Sequence, residues 1–108
     1  MATFAFFGSY TSDAWAHMLK NPTDRTAEIR KLIEATGAKL IGAYLMFGSD
    51  DFLIIAEGDD AEGAAAGSIV AASGGGVKSV RTHQIFPMSQ MPSILAKAKA
   101  AVSSYQPV

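Results

Sequence analysis

The chain has 108 residues, no cysteine, 49% hydrophobic and 18% charged residues, and a formal net charge of −1. One soluble globular domain fits these figures, whereas two domains, a disordered tail or a disulfide scaffold do not. Nine Lys and Arg against ten Asp and Glu leave no basic excess to neutralise phosphates, so nucleic acid is not an expected partner.

The longest apolar runs, such as Phe52 to Ala56, fall far short of the roughly 20 residues of a membrane span, and no membrane partner is expected. The opening Met1-Ala2-Thr3-Phe4-Ala5-Phe6-Phe7-Gly8 lacks the basic region of a secretory signal, which makes the cytoplasm the expected compartment. Thr3 to Tyr10 is rich in Phe without helical spacing and predicts a strand; Thr11-Ser12-Asp13 suits a helix entry. Asn21-Pro22 divides the helical region that follows into a short piece, Asp13 to Leu19, and a longer helix from about Thr23 to Thr36. In the longer helix Ile29, Leu32, Ile33 and Thr36 share one face, and Gly37 closes it.

Ala38 to Phe47 and Asp51 to Glu57 read as two strands joined at Gly48-Ser49-Asp50, a turn of hairpin length. Asp59-Asp60 offers an N-cap to an Ala- and Gly-rich helix through about Ser73, whose small residues predict close approach to a sheet. Gly74-Gly75-Gly76 ends it, Val77 to Phe86 reads as the last strand, and Pro92 opens a C-terminal helix of about residues 89–102. The order β-α-β-β-α-β plus a helix predicts an α+β, ferredoxin-like split βαβ domain spanning residues 1–108. Its core, about residues 3–86, would place the first and third strands in the centre and the helices on one face.

A sheet covered on one side should alternate apolar with polar residues. The second strand instead offers Ile41, Ala43, Leu45 and Phe47 on one side and Leu40, Tyr44 and Met46 on the other, and the first and third strands are apolar on both sides too. Each large side chain left in water forfeits about 1.5–3 kcal/mol, so a second copy is expected over the open face, as a homodimer or higher homo-oligomer. The competing expectation is that the C-terminal helix folds back over its own sheet. No basic residue falls between Lys39 and Lys78 and no acidic one after Glu62. An acidic middle and a basic tail either pair or remain separate solvated patches.

Asn21-Pro22-Thr23-Asp24-Arg25, then Ala27, Arg30, Gly37, Lys39 and Tyr44, then Gly48-Ser49-Asp50-Asp51-Phe52, and Val80-Arg81-Thr82 together resemble the bacterial GYD domain family over about residues 3–86. The family signature is usually written Gly-x-Tyr-Asp; Gly48 and Asp51 match it, and Asp50 stands where Tyr is usual. The resemblance implies a dimeric α/β barrel in which two sheets close face to face. It implies no settled reaction, since related barrels include cofactor-free monooxygenases, haem-degrading enzymes, lactone isomerases and ligand-sensing domains.

His17 and His83 are the only histidines; with no cysteine beside them structural zinc is nearly excluded, and no metal or cofactor is expected. His83 lies two residues from Arg81 on a strand, so the two share a face. They are candidates to hold an anionic ligand or move a proton, and the competing reading makes His83 a surface residue. Tyr10 and Trp15 stand at the corner before and within the first helix, either rimming a pocket or plugging the core; with Tyr44 they are the candidate ligand contacts. Asp51 is a further catalytic candidate, though neighbours such as Asp50 and Asp51 point apart, and a structural role in the hairpin explains an Asp there. Gly74-Gly75-Gly76 leaves a helix to enter a strand, the reverse of a phosphate loop. Met88 and Met91 suit an adaptable contact surface. Two functions follow as expectations. One is a binding or accessory module that takes a small organic ligand in an apolar cavity; the other is a small cofactor-free enzyme using His83 and Arg81, aided by Tyr10 or Asp51.

Overall fold

The computed structural model describes residues 1–108. Four strands and four α-helices follow one another as β1 (Ala2–Tyr10), α1 (Ser12–Lys20), α2 (Thr26–Ala35), β2 (Lys39–Leu45), β3 (Phe52–Gly58), α3 (Ala61–Ser73), β4 (Val77–Ile85) and α4 (Met91–Ala101). The sheet order is β2-β3-β1-β4 with every neighbour antiparallel, the ferredoxin-like arrangement that the element order predicts. No helix is long and apolar enough to cross a membrane.

Local chemistry sets the element ends. The Thr11 hydroxyl accepts from the Ala14 N–H at 3.1 Å and donates to the Gly75 carbonyl, so one side chain caps α1 and ties it to the loop before β4. The second helix begins at Thr26 rather than near Thr23, because Asp24 Oδ1 accepts both the Thr26 N–H (2.9 Å) and its hydroxyl (2.6 Å). Those two bonds hold the Asp24 carboxyl below its ordinary range. Asp60 caps α3 through the Glu62 N–H at 2.8 Å. Gly37 takes φ 85°, the left-handed conformation needed between α2 and β2.

Packing follows the alternation of β1. Phe4 and Phe6 point to the helix side and form the core with Ile33 of α2, Leu40 and Ala56. On α3, Gly63 and Gly67 turn toward Thr36 at the end of α2: a Cβ at Gly63 would lie 2.9 Å from the Thr36 carbonyl. The small residues therefore admit a helix end as well as the sheet. A 2.5 Å contact between the Ser68 and Thr82 hydroxyls joins α3 to β4.

One expectation changes, and the competing one for the C-terminal helix falls. The register of β2 shifts between Leu40 and Gly42, which pairs Leu40 with Ala56, Ala43 with Ile54 and Leu45 with Phe52, all on the helix side. The irregularity at Ile41 reverses the alternation, so Leu40 and Ala43 share a face while Tyr44 shares the open face with Leu53. The C-terminal helix also does not cover its own sheet. Every residue from Arg81 to Val108 is exposed, and the molecule extends 59 Å along its longest axis.

Candidate functional site

The open face of the sheet is built by strict register. Ala5 lies opposite Ile55 and His83, and Phe7 lies opposite Leu53 and Arg81, so these six residues share one surface. Phe7 is its centre. The His83 ring meets Phe7 edge-on with centroids 5.8 Å apart, and the Arg81 guanidinium carbon lies 5.5 Å from the Phe7 centroid. Arg81 also forms an ion pair with Asp50, a buried carboxylate at the tip of the β2–β3 hairpin. The guanidinium is thus held between an aromatic face and a carboxylate, and His83 stands beside it as an exposed imidazole.

Asp51 turns the other way. Its Oδ2 accepts the Tyr10 N–H at 3.0 Å, and its own N–H donates to the Gly8 carbonyl at 2.7 Å. Both bonds fasten the hairpin tip to the end of β1, where the register of β1 against β4 shifts between Ser9 and Tyr10. Asp50 and Asp51 therefore point apart, as neighbouring strand positions do. Asp51 ties the hairpin to β1 instead of bonding amides within its own turn.

Tyr10, Trp15 and Phe52 form an aromatic cluster at this end of the molecule, with the Tyr10 centroid 5.2 Å from each of the other two. Burial holds the Tyr10 phenol above its ordinary range; Arg25 opposes that shift and Asp51 adds to it. Tyr10 also lines a cavity of about 830 Å³ between the sheet and helices α1 to α3, whose floor includes Phe4, Phe6 and Ile54. A cavity of this size lies in the range of small-molecule sites.

The structure thus gathers His83 and Arg81 on one face and Tyr10 and Trp15 at one corner. It does not unite the candidates. Tyr44 lies on the open face with its ring over Gly42, on the opposite side of the sheet from the helix-side cavity, and Asp51 is engaged with backbone. Two contributors escape sequence reading: Phe7, the platform for both polar side chains, and Asp50, the partner of Arg81. The register of β1 against β4 brings Phe7 to His83 and Arg81, and the position of the β2–β3 hairpin tip brings Asp50 to Arg81. No group of three or more His, Cys, Asp or Glu is placed to hold a metal ion.

The family model of the GYD domain matches residues 4–95, most of the chain. The chain belongs to the GYD domain family. A GYD-type relative from Thermus thermophilus, 29% identical over 92 residues that cover 84% of this chain and 95% of the relative, is named glutamine synthetase and cystathionine beta-lyase binding protein. The GYD match takes in the hairpin, the open-face residues and the first half of α4. In this GYD domain the signature aspartate, Asp51, makes the hairpin-to-β1 tie, and Asp50, at the usual tyrosine position, makes the pair with Arg81.

Proposed function

We propose that this chain is a binding or accessory module without chemistry of its own, working as a homodimer whose open sheet faces pack together. One observation carries the reading. The open face presents Phe7, Leu53 and Ile55 flanked by the exposed Tyr44 and Ile85, and no segment of the same chain lies over it. Large apolar side chains in such a row are the mark of a surface that another protein covers. Arg81, the polar residue best placed for catalysis there, is already engaged by Asp50 and Phe7, which suits a structural role more than a turnover site.

The relative's name supports protein partners for this chain, and a metabolic enzyme of the glutamine synthetase or cystathionine beta-lyase kind is the proposed target. The helix-side cavity is the proposed place for a small organic ligand, with Tyr10 and Arg25 among the residues lining it. The test is size-exclusion chromatography with light scattering, alone and with each of the two enzymes from the same source. A dimer that co-elutes with at least one enzyme is expected, and Ile55→Asp should give a folded monomer. A monomer at micromolar concentration that binds neither enzyme would overturn the proposal. Turnover of a bound organic acid that His83→Ala abolishes in a folded protein would replace it with the enzymatic alternative.

A further inference from the structure

We propose that the helix-side cavity binds an apolar organic acid, whose single carboxylate accepts hydrogen bonds from the Tyr10 hydroxyl and the Arg25 guanidinium while its body lies on the aromatic floor. The proposal deepens the small-ligand reading of that cavity and rests on it. The wall decides the body. Phe4, Phe6, Ile29, Ile33, Phe52 and Ile54 face the space, so a ligand that fills it is mainly hydrocarbon, with its rings against theirs.

Two polar side chains decide the head group. Tyr10 gives its N–H to Asp51, whereas its half-buried hydroxyl bonds to no group of the protein. Arg25 stands at the N-cap position of α2, where its side chain makes no capping bond, and the ion pairs of the chain, Glu28 with Lys31 and Asp50 with Arg81, leave it free. Both side chains line the same cavity, and the Arg25 charge is felt at the Tyr10 phenol, so they converge on one end of it. Burial keeps that phenol protonated through neutral pH, and its O–H donates. A guanidinium and a hydroxyl without acceptors of their own match one carboxylate.

The acidic residues of the lining limit the ligand to one negative charge. Asp13 and Glu28 belong to the first turns of α1 and α2, which follow Tyr10 and Arg25 directly. They would repel the second charge of a phosphate monoester or a dicarboxylate. Asp59 and Asp60 lie beyond Gly58, which pairs with Ala2 at the opposite end of β1 from Tyr10, and so stay clear of the head group.

The experiment titrates the full chain with hydrocinnamate and with its neutral amide at neutral pH, followed by calorimetry and by the emission of Trp15. Trp15 is the only tryptophan, and its ring lies against Tyr10, so its emission reports on this end of the cavity. The acid should bind about 10-fold tighter than the amide or better, as hydrogen bonds to a charged group imply. Arg25 is exposed, so Arg25→Gln should stay folded by circular dichroism, erase the preference for the acid and leave the affinity of the amide as it was. Tyr10→Phe, which keeps the ring, should weaken the acid several-fold. With Trp15 still responding, equal affinities for acid and amide would overturn the acid and leave the cavity a ligand site. A preference that survives Arg25→Gln, or that His17→Ala abolishes instead, would also overturn it, since His17 lines the cavity from α1. Binding of neither probe would remove the cavity reading too, while the dimer keeps its own test by light scattering.

Discussion

Asp51 shows how a single carboxylate substitutes for sheet pairing. At the end of β1 the Tyr10 N–H bonds to the Asp51 side chain, and the Asp51 N–H returns to Gly8. Asp51→Ala leaves the Tyr10 N–H without its partner, and the expected cost is about 1–3 kcal/mol, read as a lower urea midpoint with unchanged slope. Tyr10 itself supplies a pH dependence. Its phenol is raised above 10.0, chiefly by burial, so the folded state holds that proton more tightly than the unfolded chain does. The stability it contributes is fully present below pH 10.0 and is lost as pH rises through the folded value. Thermal melts at increasing alkaline pH should fall more steeply for the wild type than for Tyr10→Phe.

At the scale of elements, the helices are held by end chemistry as much as by packing. Helix α3 carries Gly63 and Gly67, each costing about 1 kcal/mol relative to Ala, and Gly63 is required by its approach to Thr36. Such a helix leans on its cap. Asp60→Ala should destabilise the domain by about 0.5–2 kcal/mol, and hydrogen exchange should quicken first in the opening turn of α3. Most of this layer was legible beforehand: the Asp60 cap, the Gly37 stop and the break at Asn21-Pro22 all follow from single residues with few alternatives. The start of α2 was not, because it is set by the Asp24 bonds to Thr26, which place the cap at Arg25 and not near Thr23.

For the whole molecule, the small size of the core governs behaviour. Twelve of 108 residues are buried, and none of the last 28, Arg81–Val108, is among them. A chain this apolar leaves one sheet face uncovered and a whole helix in water, which is the reason the proposed assembly bears on stability as well as on stoichiometry. The candidate site was legible in part. The spacing of Arg81 and His83 placed both on one face, because strand side chains repeat every two residues. Their common platform Phe7 and the partner Asp50 lie 31 to 76 positions away from the residues they touch, beyond the reach of any local pattern.

By itself the sequence determined the element order, the helix-covered sheet and the two central strands, since periodicity, turn residues and caps act over a few neighbouring positions. The tertiary structure alone decided the face of each β2 side chain, the separate duties of Asp50 and Asp51, and the detachment of α4. One irregularity at Ile41 inverts an alternation that pattern reading assumes to be unbroken. Whether a helix returns to its own sheet depends on the direction in which the chain leaves β4 at Phe86-Pro87, which no hydrophobic pattern encodes.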